Sequence, residues 1–421
     1  RSPSLAVNEE EVVAFGKTRW CIALVACLLA ASTGIYYAAF GCFLLVIAGL
    51  YCLGHQYWRG CAIAVALTAI LFLGVGTNLL PSALYRFAHG ANREAVVRNP
   101  QAAEIYGMKV TQLVLPMSVH RLPWIGRKKL LYNTAMPWGS SDYGYLGAIG
   151  VAGFLILVGR FLVKRSRAAE NRLLDVVQTL NLFAVLFATV GGFGMVASLY
   201  LGAWLRCFER MSIVIGFLSL LAVGLVLDRS PWLRQSHRRR AVVLGILLAV
   251  GILEQTSVHF VPPYNALARE YAHDAAFIAR IESEMPAGAT IFQLPYMSFP
   301  ENGPLCRIGD YEPVRGYLHS YSLRWSYGAV KGRKADAWQR TVAGLPVADM
   351  VQNLTTAGFQ GIYIDRRGYE DKGASLERDL TELRGRTPLT SPNGRLSFFD
   401  IRPYEPPETE TANCPWQARV H

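Results

Sequence analysis

Seven apolar stretches occupy residues 20–256 of this chain, and the hydrophobicity then stops, leaving a polar tail of more than 160 residues. A membrane-spanning helix needs about 20 mostly apolar residues. The stretches 20–36, 38–54, 60–80, 144–163, 177–200, 211–227 and 241–257 approach that length, the shorter ones also suiting a re-entrant hairpin. Lipid offers the backbone no hydrogen-bond partner, so such stretches cross it as helices. The fold class expected is an α-helical polytopic membrane domain of about seven spans followed by a small extracytoplasmic α/β domain.

Charge is divided along the same line. The net charge is +12, yet from Ser257 onward 18 Lys/Arg face 19 Asp/Glu, and the first 256 residues carry 24 basic groups against 11 acidic ones. A basic excess confined to the membrane half sets topology rather than binding nucleic acid, and no aromatic–basic interleaving suggests an RNA-binding sheet. Four basic groups fall on one side if the chain starts in the cytoplasm: Lys17 with Arg19; Arg59; Lys164, Arg165, Arg167 and Arg172; and Arg229, Arg234 and Arg238 to Arg240. Seven crossings then place the tail and the long loop 81–143 outside.

The domains expected are spans one to three (1–80), an outer loop (81–143), spans four to seven (144–257), the α/β domain (258–403) and a frayed tail (404–421). In the loop, apolar spacing over 102–115 predicts a short amphipathic helix at the interface. Arg127, Lys128 and Lys129 would meet lipid phosphates or stand as solvated charge. In the tail, Thr290–Leu294 reads as a buried strand ended by Pro295. Pro346 opens a helix over 347–357 closed by Gly358. A strand at 361–364, a charged helix at 374–383 and a strand at 396–401 follow, which predicts a small sheet packed by helices. Cys21, Cys27, Cys42, Cys52 and Cys61 lie in or beside spans as small apolar residues. Cys306 and Cys414 are candidates for a disulfide if the tail is outside. No Cys/His spacing suggests zinc.

Two polar groupings carry the candidate chemistry. Residues 310–336 hold Asp310, Tyr311, Arg315, Tyr317, His319, Arg324, Trp325, Tyr327, Lys331, Arg333 and Asp336. Aromatic rings with Arg and Asp suit sugar faces and hydroxyls, and Arg with Lys suits phosphate; a loop stitched down by salt bridges is the alternative. Glu104, Lys109, Gln112, His120 and Arg121 stand near the bilayer, where a lipid-linked phosphate would lie. Asp365, Arg366 and Arg367 end a strand, as ligand-contacting groups or as an ion pair. His319 and Glu301 are candidates to titrate, though nothing pairs them in sequence. Within the spans Glu254 and Arg160 sit near ends and can snorkel. Paired mid-membrane acids and matching broken helices, the marks of an ion-coupled transporter, are not legible. The glycines 191, 192 and 194 read as close-packing positions.

The run Gly34-Ile-Tyr-Tyr-Ala-Ala-Phe40 at a short outer turn resembles the later spans of bacterial GT-C-type membrane glycosyltransferases and their YfhO-like relatives. So does Leu205-Arg-Cys-Phe-Glu-Arg-Met-Ser212, an arginine-bearing outer turn leading into a span. The resemblance implies a polyprenyl-phosphate-linked sugar as donor, transfer on the outer face of the inner (cytoplasmic) membrane, and a glycan or lipid acceptor of the envelope. It implies a catalytic carboxylate in the first outer loop. The first outer turn here, 32–37, has no acidic residue. The chain begins at Arg1 with no signal peptide before its first span, and is read as the later part of a longer protein. The carboxylate, and any divalent metal, would then lie upstream, or the chain would not act alone. On this resemblance Lys109, His120 and Arg121 would hold the donor phosphate. Asp310, Arg315, Tyr317, His319, Arg324, Trp325, Lys331 and Arg333 would present the acceptor. The alternative function is a non-catalytic scaffold or flippase-like partner in envelope polysaccharide assembly.

Overall fold

The computed structural model describes residues 17–95, 98–135, 144–162, 172–203, 205 and 207–403. It falls into two compact units: Arg1–Ala91 with Val97–Pro262, and Asn92–Val96 with Pro263–His421.

The first unit is helical. It opens with α1 (Lys17–Thr33), α2 (Ile35–Gly54) and α3 (Trp58–His89). Small residues let these helices approach closely in lipid: a Cβ added to Gly74 would lie 2.7 Å from the Ala31 methyl, and one on Gly49 3.3 Å from that of Ala64. α3 has 32 residues, about 48 Å at 1.5 Å per residue. It therefore outruns both the 60–80 span expected and a hydrocarbon core of about 30 Å. Three short helices follow, α4 (Gln101–Ile105), α5 (Val110–Val114) and α6 (Pro123–Ala135). The unit ends with α7 (Gly147–Gly159), α8 (Arg172–Ala188), α9 (Phe193–Leu201), α10 (Ser212–Asp228), α11 (Pro231–Arg234) and α12 (His237–Gln255).

Among the described residues, α2, α3 and the stretch Phe208–Asp228 that contains α10 are long and apolar enough to cross a membrane. α12 passes the same test only when taken together with the helix after it, and α7 is apolar but shorter. Their outward side chains are bare: Phe72, Leu73 and Phe217 are 66%, 70% and 65% exposed. Such a surface would aggregate in water and is matched by lipid, as in a membrane protein.

Two local expectations change. The fifth apolar stretch is not one helix, because the chain breaks between α8 and α9. Gly191 takes a left-handed φ of +71°, and a Cβ on Gly192 would meet the Leu186 carbonyl at 2.2 Å. These glycines break the span instead of only packing it. The freed backbone is satisfied by the loop: Met108 N–H donates to Ala188 O (2.9 Å) and Val190 N–H to Met108 O (3.1 Å), while the Glu104 carboxylate accepts from Gly191 N–H (3.0 Å). That same bridge prevents a continuous helix over 102–115, where α4 and α5 form with Gly107 and Met108 between them. Lys129 is 1% exposed, so it is not a lipid-facing charge; Arg127 and Lys128 are exposed.

The second unit is a helix–sheet–helix sandwich. Helix α13 (Tyr264–Glu284) precedes β1 (Thr290–Leu294); then come α14 (Val314–His319), β2 (Arg324–Trp325), α15 (Lys334–Ala343), α16 (Val347–Thr356), β3 (Phe359–Asp365), α17 (Ala374–Arg384), β4 (Leu389–Thr390) and β5 (Leu396–Asp400). The sheet order is β2-β1-β3-β5-β4. β1 pairs in parallel with β2 and β3, and β5 runs antiparallel to β3 and β4. Alternate residues go to opposite faces. Ile291, Tyr363 and Phe398 pack on Phe277, Ile278 and Ile281 of α13. Phe292, Ile362, Ile364 and Phe399 pack on Val342, Met350, Leu354 and Leu380 from α15, α16 and α17. The strands and helices expected at 290–294, 347–357, 361–364, 374–383 and 396–401 are all present, within a residue or two of their ends.

Residues Asn92 to Glu94 are clipped onto this second unit. The Asn92 amide donates to Lys331 O at 2.6 Å, and Arg340 Nη2 binds Glu94 at 3.1 Å. Gly332 makes the clip possible: its φ is +76°, and a Cβ there would lie 2.2 Å from Asn92 Oδ1. The positive charges at 164, 165 and 167, Arg206, Cys414 and the tail from 404 lie outside the described residues; Cys306 is exposed.

Candidate functional site

In the membrane unit, polar groups gather at the end of α12. The loop ahead of α6 lays His120 and Arg121 against it. Arg121 Nε donates to Thr256 O (2.6 Å) and Nη2 to Thr256 Oγ1 (2.9 Å). Two of its five N–H groups are thus used, and the residue stays exposed. His120 is buried, at 8% exposure. Its Nδ1 accepts the Leu122 N–H at 3.0 Å, which puts the proton of the neutral ring on Nε2. That Nε2 has no hydrogen-bond partner and points to Glu254 Oε1 at 3.7 Å. Glu254 Oε2 accepts from Ala148 N–H at the start of α7 (3.1 Å), and the Tyr145 phenol is hydrogen-bonded to the same carboxylate. An acid, an imidazole, a phenol and a guanidinium thus converge where an apolar helix ends. Such a group can accept a hydroxyl proton or hold a phosphate oxygen.

Lys109 stands at the start of α5, half-buried, its backbone N–H held by Gln112 Oε1 at 3.1 Å. Glu104 is occupied at the α8–α9 break. The two stretches carrying the family resemblance meet nearby: the Arg210 guanidinium lies 4.7 Å from the Tyr36 ring centroid, and Phe40 and Phe208 flank Phe187.

In the α/β unit the residues of 310–336 do not share one cleft. Asp310 accepts from Asn302 N–H (3.0 Å) and Gly303 N–H (2.9 Å), tying down its own loop. Lys331 N–H bonds Phe299 O (2.8 Å), and Arg333 N–H bonds Val330 O (3.0 Å) ahead of α15. Tyr317 and Arg324 are exposed. Trp325 packs edge-on against Tyr363 at 5.3 Å. Asp336, fully buried, takes hydrogen bonds from Tyr296, Gly332 N–H and Arg340. Glu301 is exposed and takes no part in a pair with His319.

Only Arg315 and His319 join a larger charged network, at the carboxyl ends of β1 and β3. Arg315 binds Glu270 (2.9 Å) and faces Asp274 (3.4 Å). Arg395 binds Asp365 (2.7 Å) and lies near Glu312 (3.5 Å) and Asp274 (3.9 Å). Arg367 binds Asp365 (3.1 Å) and Glu312. Burial favours a neutral Asp365, but hydrogen bonds from Arg395 and Arg367 outweigh it and hold the carboxyl below its ordinary range. His319 packs on the Tyr271 ring at 4.5 Å. Burial pushes its imidazole down; Asp274 opposes that shift and Arg315 adds to it. The adjoining cavity, lined by Gln293, Glu312, Tyr363 and Asp365, has about 10 Å³, room for about one water molecule.

Sequence reasoning missed Glu254 as a partner of His120, and missed Tyr145, Asp274, Glu270 and Arg395 altogether. The available signal was one acid at the end of a long apolar run. Among the described residues no group of three or more His, Cys, Asp or Glu is placed to hold a metal ion. No protein-family model matches the chain, and no curated protein is similar to it.

Proposed function

We propose that the chain is part of an integral-membrane glycosyltransferase that moves a sugar from a polyprenyl-phosphate donor to an envelope glycan or lipid acceptor on the outer face. The observation that carries this reading is the convergence of Arg121, His120, Tyr145 and Glu254 at the end of α12. The free edge of Arg121 would bind donor phosphate oxygens, which stabilises the leaving group as charge develops on it; His120 Nε2, inaccessible and turned to Glu254, would join only by parting from that carboxylate. Lys109 would add positive charge from α5.

The topology that goes with it has seven crossings. Asn92 to Glu94 belong to the second unit and are held by Lys331 and Arg340, which supports reading this stretch after α3 as lying on the same side as the α/β unit. On this reading an even number of crossings separates them, taken as α7, the broken α8–α9 pair, α10 and α12. Three helices precede the loop. The positive-inside pattern then puts loop and α/β unit outside the cell membrane.

The test is turnover of a polyprenyl-phosphate sugar by the native protein in its membranes. Arg121→Ala removes a charge-assisted bond worth about 1.5–3 kcal/mol, about ten- to a hundred-fold in rate, with membrane abundance unchanged. Unchanged turnover would sink the assignment. The second reading, a non-catalytic scaffold or flippase-like partner, is favoured by one observation. Arg315, Arg367 and Arg395 of the α/β unit are already paired with its own acids, which leaves little in that network for an acceptor.

A further inference from the structure

The first turns of α13 project beyond the core of the α/β unit. From Asp274 onward the helix buries Asp274, Phe277, Ile278 and Ile281. Before it, Tyr264, Leu267 and Tyr271 are 66%, 48% and 64% exposed. Their spacing places them on one face, while Asn265, Arg269 and His273 take the opposite one. Helix α14 lies against this overhang through the Tyr271–His319 contact and the Arg315–Glu270 bond. It adds Tyr317 and Leu318, at 65% and 64% exposure, and Tyr321 at 99% follows. Four tyrosines and two leucines thus form an uncovered surface on a unit whose core is otherwise closed.

We propose that this surface docks on the phospholipid headgroup layer of the membrane that α12 enters. Chain length allows it: eight residues separate Gln255 from Tyr264, which extend to about 30 Å at most. A 3-10 turn at Val258–Phe260 shortens that reach further. Tyrosine, with an apolar ring and a polar tip, is the residue type enriched at membrane–water boundaries. An amphipathic helix with apolar and charged faces lies in that plane.

The experiment places a photo-crosslinking benzophenone amino acid at Tyr264, Tyr317 or Leu318 of the full chain in its native membranes. Arg378 on α17, 73% exposed, is the reference. Expected are phospholipid adducts by intact mass at the three sites and none at Arg378. Adducts to a protein at these sites, or lipid labelling no greater than at Arg378, would overturn the proposal. Loss of sugar transfer is not read here, so the result stands apart from the proposed activity.

Discussion

In the α/β unit, most carboxylates and arginines lock one another: Asp365 holds Arg367 and Arg395, and Glu270 holds Arg315, while buried Asp274 faces Arg315 at 3.4 Å without a hydrogen bond. At the end of α12 the arrangement is open, since His120 Nε2 stands 3.7 Å from Glu254 with no hydrogen bond made. Both clusters join acids to basic groups beside an aromatic ring. The difference teaches that charge inventory does not distinguish a structural network from a binding one; the state of each donor does. A matched network stabilises the fold and has little left for a ligand. An unmatched buried donor costs free energy unless something occupies it.

The comparison breaks most easily at Asp365. Asp365→Asn leaves two arginines, one of them only 12% exposed, without their main partner. Removing one member of a buried ion pair costs about 3–5 kcal/mol. The α/β unit of the detergent-solubilised protein should lose most of its thermal stability, read by circular dichroism and limited proteolysis. A cost below about 1 kcal/mol would mean that the network is surface decoration.

Acid should act in the same direction. Asp365 and Glu282 both sit below their ordinary values of 3.8 and 4.5. For Glu282, burial works against the shift, and hydrogen bonds from the backbone of Ser322 and Tyr321 and the hydroxyls of Ser320 and Ser322 overcome it. A carboxylate whose folded pKa is depressed adds stability above its unfolded pKa. That stability is lost as pH falls through the folded value. Unfolding of the α/β unit should therefore become easier as pH falls below about 4.5. A flat profile from pH 5 to 3 would contradict the pairing.

Next in size is the clip that holds Asn92 to Glu94 within the second unit. Gly332→Ala puts a methyl into the Asn92 amide and forces a side chain onto a left-handed backbone, at a cost of about 1–3 kcal/mol. The expected readout is faster tryptic cleavage after Arg93 with the sheet intact. Unchanged cleavage would remove the support that this clip gives to the shared side of loop and α/β unit.

How much of this was legible follows from what sequence encodes. The longer strands and the helices over 347–357 and 374–383 announced themselves because short continuous apolar runs, Pro346 and Gly358 are local signals. β2 and β4 are two residues each, too short to leave a pattern. The broken fifth span escaped because hydropathy counts side chains, whereas the break depends on backbone groups of Ala188 and Val190 pairing with distant Met108. At the α12 end, His120 and Arg121 were legible as candidates, but Glu254, Thr256 and Tyr145 escaped as partners in the cluster for the same reason. Arg121 and Thr256 are 135 residues apart in sequence, and only folding shows that the loop lies on α12. Within 310–336, aromatic and charged density was real, but its residues serve loop anchoring, sheet packing and ion pairing separately.

The smallest expected effect on stability is the one that most sharpens the contrast. Asparagine at position 120 keeps an acceptor near the place of Nδ1, so the Leu122 N–H stays satisfied, and it deletes Nε2. Because Nε2 makes no hydrogen bond to Glu254, His120→Asn should cost about 1 kcal/mol, the scale of one neutral bond imperfectly replaced. The melting temperature should barely move while transfer of the lipid-linked sugar falls. A loss as large as that of Asp365→Asn would make His120 a structural member of its cluster. The two regions would then be alike, and the reading of the α12 end as an open site would fail with that result.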